Sequence, residues 1–191
     1  MGAATLEKLA FLVVEDNFHM RQLVVMVLKS FRATNILTAA DGSSAFREMG
    51  GMVPDIIITD MMMKPMNGIE FTRKLRTDDN SPDPFVPILM LSSYSELERV
   101  VAAREAGVTE FLNKPFAART LYARIHSMIY QPRQFVRSET YFGPDRRRHD
   151  KPFMGDDRRR RGPPGAELIP LSPRGPAANQ GGVPPNRQET A

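Results

Sequence analysis

Glu15 and Asp16 stand side by side at the end of a continuously apolar run, Leu9 to Val14, and Asp60 closes a second such run, Pro54 to Asp60 (PDIIITD). Lys114, with Pro115 directly behind it, follows a third short apolar stretch. Carboxylates gathered in one place repel one another unless a cation is shared. Hard oxygen donors with a divalent charge requirement suit Mg²⁺, which takes one or two carboxylates and fills its octahedron with water and phosphate oxygens. Taken singly, each acid could cap a helix. Together with Lys114 they predict a metal site. Other chemistries are thin: cysteine is absent, which removes disulfides, zinc thiolates and cysteine nucleophiles and fits a reducing compartment. The run Met61 to Met63 lacks the His or Cys neighbours of a soft-metal site and reads as loop packing. His19, His126 and His149 are scattered and receive no catalytic role.

These acids can meet only if the elements that carry them converge. Leu9 to Val14 reads as a strand buried on both faces, and a helix follows from about Asn17 with Leu23, Val24, Val27, Leu28 and Phe31 at helical spacing. Asn35 to Ala39 predicts a strand, Asp41-Gly42 opens a second helix, and Pro54 to Asp60 predicts the third element of sheet. Asn67-Gly68 starts a helix through Leu75, Thr77 to Pro84 is a loop, and Val86 to Leu91 is a fourth strand running into Ser92-Ser93. Glu96 to Ala106 with Gly107 behind it, Glu110 to Leu112, and Ala117 to Tyr130 complete the pattern as helix, strand and helix. Five strands alternating with five helices predict a doubly wound parallel α/β sheet, whose ligands bind beyond the carboxyl ends of the strands. That is where the acids and Lys114 fall.

Residues 1–130 carry a net charge of −1 and residues 131–191 a net charge of +5, so the basic character belongs to the C-terminal part. Ten of the sixteen prolines lie there, apolar periodicity ends after Pro132, and a disordered tail over 131–191 is expected beside a domain over 1–130. Phe142-Gly143-Pro144-Asp145-Arg146-Arg147-Arg148 returns twelve residues later as Met154-Gly155-Asp156-Asp157-Arg158-Arg159-Arg160. This echo is read as a linear motif. The arginine clusters admit nucleic acid, an acidic protein surface or anionic lipid, but interleaved aspartates dilute the field and no helix-turn-helix or RNA-binding aromatic motif accompanies them. The N-terminal residues carry Glu7 and Lys8 and lack the basic start and apolar stretch of a secretory signal, and no apolar run reaches membrane-span length.

Across roughly residues 9 to 130 the sequence resembles the receiver domain of two-component response regulators. The resemblance rests on Glu15-Asp16 ending the first strand, Asp60 the third, Pro65-Met66-Asn67-Gly68 after it, Ser92 ending the fourth, and Lys114-Pro115-Phe116 after the fifth. It implies a flavodoxin-like sheet of strand order 2-1-3-4-5. It also implies Asp60 as phosphoacceptor, Asp16 as a direct Mg²⁺ ligand, Glu15 as its water-mediated partner, and the backbone carbonyl of Met62 as a further ligand. Lys114 would pair with the carboxylate and then with the phosphoryl group. Ser92 and Phe111 would form the two-part switch, although Phe111 alone reads as a core aromatic. Met62 and Tyr94, two residues beyond Asp60 and Ser92, would tune dephosphorylation. One departure is that Pro65 falls five residues after the acceptor where four is common, with Gly68 still at the expected distance.

The resemblance further implies a histidine kinase or histidine phosphotransfer protein as phosphodonor, and an output partner or a second receiver on the face of helix 4, strand 5 and helix 5. A bacterial cytoplasmic protein without membrane insertion or a DNA-binding output domain, rather than an enzyme acting on a metabolite, is expected. Two rivals are a nucleic-acid-associated protein acting through its tail and an aspartate-nucleophile phosphatase. The latter wants a second aspartate two residues after the first, where Met62 stands.

Overall fold

The computed structural model describes residues 6–93, 97–138, 141–146 and, as a strand, 167–169. A 3-10 turn at Leu6–Lys8 precedes β1 (Ala10–Val14), α1 (Phe18–Ser30), β2 (Asn35–Ala39), α2 (Gly42–Gly51) and β3 (Ile56–Asp60). There follow α3 (Gly68–Thr77), β4 (Ile88–Ser92), α4 (Leu97–Glu105), β5 (Glu110–Asn113) and α5 (Ala118–Tyr130). β1 to β5 form one parallel sheet in the order β2-β1-β3-β4-β5, as expected. Every residue of β1, β3 and β4 is buried, because helices cover both faces and unbroken apolar runs satisfy both.

The helix starts follow from short polar caps. Asn17 accepts from the amide of Met20, and Asp41 and Asn67 each form a reciprocal capping box with the residue three positions on, Ser44 and Glu70. α1 and α5 pack on one face of the sheet through Val24, Leu28, Leu121 and Ile125 against Phe11, Val13 and Ile58. α2 and α3 pack on the other through Met49, Phe71 and Leu75 against Leu12, Val14 and Ile57. Leu23, counted in the expected apolar face of α1, is exposed; the buried stripe runs through Val24, Val25 and Leu28 and turns Leu23 outward. Among the described residues no helix is long and apolar enough to cross a membrane.

The expected boundary at residue 130, with an unpacked tail from 131, does not hold for the described residues. β6 (Phe135–Arg137), β7 (Phe142–Pro144) and β8 (Glu167–Ile169) make a three-stranded antiparallel sheet in the order β7-β6-β8. Phe135 is 2% exposed. Its ring centroid lies 5.3 Å from Phe85 and 5.6 Å from Phe142, which itself lies 5.2 Å from Phe85. Beneath them the buried guanidinium of Arg76, on the last turn of α3, donates to the carbonyls of Gly107 (3.1 Å), Pro84 (2.7 Å) and Val86 (2.8 Å) and sits 5.1 Å from the Phe135 centroid. Burial pulls its pKa down to about 9, which leaves it charged at neutral pH.

Gly107 follows α4 with φ of 97°, a conformation that glycine adopts freely, and Gly143 of β7 lies so close that a Cβ there would stand 2.9 Å from the Gly107 Cα. Arg133 pairs with Glu110 at 2.9 Å, and Arg137 and Arg146 lie over the rings of Phe142 and Tyr141. These three cations therefore take part in packing. The segment escaped the sequence reading because strands of three residues leave no periodicity and their apolar partners belong to α3, the α3–β4 loop and the α4–β5 turn. Residues 147–166 and 170–191, which include the second copy of the echo, lie outside the described residues.

Candidate functional site

The three strands whose carboxyl ends carry the acids and the lysine are adjacent or nearly so in the sheet, so their side chains meet above its edge. Val14 pairs in register with Thr59, Asp60 with Leu91, and Ser92 with Asn113. The loops are tied to these ends: the amide of Met61 donates to Leu91 O at 2.9 Å and that of Lys114 to Ser92 O at 2.7 Å. Gly68 permits the turn after β3, since a Cβ there would lie 2.1 Å from the Asp60 carbonyl oxygen. The departure in the loop leaves this distance intact; the Lys64–Pro65 bond is cis, as is Lys114–Pro115.

Lys114 Nζ bridges two carboxylates, 2.6 Å from Glu15 Oε2 and 2.7 Å from Asp60 Oδ1. Oxygens of Glu15, Asp16 and Asp60 all lie within 4.8 Å of one another, with Glu15 and Asp60 buried and Asp16 exposed. Burial raises the pKa of the Glu15 carboxyl and the charge of Asp60 adds to this, against the lowering pull of Lys114. For Lys114 burial disfavours the charge, yet the hydrogen bonds it donates to Asp60 and Glu15 outweigh it and hold its pKa above the ordinary value. Three acids facing one ammonium leave an excess of negative charge, and the donors are hard oxygens. The cluster therefore fits a small divalent cation approached from the side of Asp16.

The other expected residues surround this centre. The amide of Met62 donates to Asp60 Oδ2 at 3.0 Å, while the residue is 48% exposed, with Sδ 3.4 Å from Nη1 of Arg99 on α4. Ser92 is buried one residue beyond the partner of Asp60 in β4, and its hydroxyl donates to Met61 Sδ at 3.7 Å. Phe111 is half-buried against a cluster of Met61, Met90, Ala103 and Val108, which links β5 to the underside of α4. Tyr94 lies outside the described residues.

The sequence reading missed Arg21, whose guanidinium reaches back to donate to the Glu15 carbonyl and, at 3.4 Å, to that of Asp16. It clamps the acidic turn, but nothing in the sequence separates it from a solvated arginine of α1. On α1, which begins just after the acidic turn, Phe18, Leu23 and Met26 are exposed apolar residues.

This geometry meets a known family. The Response regulator receiver domain matches residues 11–126. The chain belongs to that family. Among curated relatives, this receiver is 32% identical over 130 residues to the hybrid signal transduction histidine kinase D of Dictyostelium discoideum, covering 67% of the chain and 8% of that protein. It is 30% identical over 129 residues to the probable transcriptional regulatory protein TcrX of Mycobacterium tuberculosis, covering 68% and 53%. The match thus spans about half of the latter relative and a small part of the former. Among solved structures it resembles the chemotaxis protein CheY4 of Vibrio cholerae at 34% identity and a TM-score of 0.57, over 62% of this chain and 97% of that one. A putative response regulator from Chloroflexus aurantiacus aligns at 25% identity and a TM-score of 0.58, over 63% and 96%. The receiver is a component of two-component signalling.

Proposed function

We propose that Asp60 accepts a phosphoryl group from a phosphohistidine on a histidine kinase or a histidine phosphotransfer protein. The observation that carries this reading is the single ammonium of Lys114 held between Asp60 and Glu15 beside the exposed Asp16. A carboxylate oxygen of Asp60 attacks phosphorus, the P–N bond breaks as the P–O bond forms, and the leaving imidazole takes up a proton. Lys114, already in contact with the acceptor, is positioned to follow the charge that spreads onto the phosphoryl oxygens. Asp16, Asp60 and the Met62 carbonyl are the residues that would hold Mg²⁺, with Glu15 supporting it through water; bound there, the ion would neutralise phosphoryl charge. The Mg²⁺ assignment rests on the oxygen-only donor set.

Ser92 and Phe111 are the proposed switch. Ser92 would exchange its contact with Met61 for a phosphoryl oxygen, and Phe111 would follow inward against Met90 and Ala103, altering the face of α4, β5 and α5 for an output partner. On this reading the protein is a cytoplasmic phosphoacceptor that turns over no external metabolite. The phosphatase alternative lacks its second carboxylate at Met62.

The test is incubation with acetyl phosphate and Mg²⁺ followed by intact mass. Wild type should gain one phosphoryl group, Asp60→Asn none, and Asp16→Ala or chelator should abolish labelling. An adduct that persists on Asp60→Asn removes the assignment.

A further inference from the structure

Of three consecutive methionines beside the acceptor, two are sealed in the core and one stands at the surface. Met61 and Met63 are buried, whereas Met62 between them is 48% exposed. That sulfur lies against Nη1 of Arg99 from α4, while the amide of the same residue donates to Asp60 Oδ2. An exposed thioether is oxidised readily to the sulfoxide, which is polar and a far stronger hydrogen-bond acceptor than sulfur. One residue therefore joins an oxidisable atom, a cation placed to hold its oxidised form, and the phosphoacceptor.

We propose that Met62 is an oxidation site through which peroxides lower phosphorylation of this receiver; the effect on labelling rests on the reading of Asp60 as acceptor. The sulfur lone pair attacks one peroxide oxygen, the O–O bond breaks, and the thioether becomes the sulfoxide as hydrogen peroxide is reduced to water. The sulfur is oxidised by two electrons and no further reactant enters. The new oxygen stands where Arg99 can donate to it, in place of a weak N–H to sulfur contact. Oxidation thus fastens the β3–α3 loop to α4 across the entrance to Asp60 and stiffens the backbone whose amide contacts the acceptor. A phosphodonor must break this bridge to enter. The change is reversible by methionine sulfoxide reductase.

Peptide mapping after graded hydrogen peroxide, in a Met26→Leu background that removes the other strongly exposed methionine among the described residues, reads site preference directly. Met62 should gain one oxygen well before Met61 and Met63. Labelling of the oxidised protein by acetyl phosphate should slow by roughly tenfold, the factor that a hydrogen bond to a charged group can impose, and reductase should restore it. In Arg99→Ala the oxygen should still be gained but the slowing should largely vanish. In Met62→Leu peroxide should leave the variant's own rate unchanged. Equal oxidation of all three methionines, or oxidised Met62 with the rate of the reduced protein, overturns the proposal. Absence of labelling in the reduced protein would instead refute the acceptor assignment, with the oxidation map still readable.

Discussion

Phe135→Ala tests whether the residues beyond α5 are part of the folded receiver. The ring is 2% exposed, meets Phe85 and Phe142 at centroid distances of 5.3 and 5.6 Å, and covers the buried guanidinium of Arg76 at 5.1 Å. Removing a fully buried phenyl costs about 3–5 kcal/mol, transfer and cavity together. The upper part of that range applies because Arg76 also loses the ring above it, a contact worth about 0.5–2 kcal/mol. For a domain of this size each kcal/mol moves Tm by about 3–4 °C, so a fall of roughly 12–20 °C is expected, with urea melts giving the same loss at an unchanged slope. Labelling by acetyl phosphate below the new transition should persist, since Asp60 is at the opposite edge of the sheet. A change under about 0.5 kcal/mol, the scale of a surface substitution, would refute the packing argument and return the domain boundary to residue 130.

Glu15→Gln, measured by urea unfolding in chelator, should gain stability relative to wild type as pH rises from about 4 to 7. Its folded pKa is raised above the ordinary 4.5, so its contribution is present at lower pH and is lost as pH rises through the folded value. An unchanged difference across that range would show that Glu15 is not held above its usual range. Replacing Met62 by Asn and Tyr94 by Glu should speed decay of purified phosphoprotein in excess Mg²⁺, because neither native side chain offers a carboxylate or amide to orient the attacking water; each factor of ten corresponds to about 1.4 kcal/mol. Equal or slower decay would exclude them as gates. Phe18→Ser with Met26→Ser should reduce transfer from a phosphohistidine protein by about tenfold and leave acetyl phosphate labelling intact, since these exposed apolar side chains belong to the helix that starts two residues after Asp16. Parallel losses with both donors would rule out a docking role.

The receiver fold was legible because each buried strand carries its own signature, an unbroken apolar run ending in a residue of chemical use. Asp60 at the end of PDIIITD and Glu15-Asp16 after Val14 announce both the strand and its functional end. The caps Asn17, Asp41 and Asn67 are equally local, which is why the helix starts fell where expected. What stayed hidden depends on long-range contact. Leu23 belongs to a helical apolar pattern, yet the rotation of α1 on the sheet decides its exposure. Arg76 reads as an ordinary polar residue late in an amphipathic helix, and only three carbonyls from distant turns reveal it as an anchor. Phe135 and Phe142 sit among prolines, glycines and arginines, whose composition outweighed two aromatics when no partner was in view.

The contact of Gly143 with Gly107 places β7 under the α4–β5 turn, at the amino edge of the sheet. Asp60 lies at the carboxyl edge, and a five-residue strand such as β4 separates the two by about 16 Å. The antiparallel strands β6 and β7 therefore sit at the end of the sheet opposite the acidic cluster. A substitution in β6 or β7 can reach the acidic cluster only through the length of β4, so the two ends of the sheet can be altered separately, one for stability and the other for chemistry.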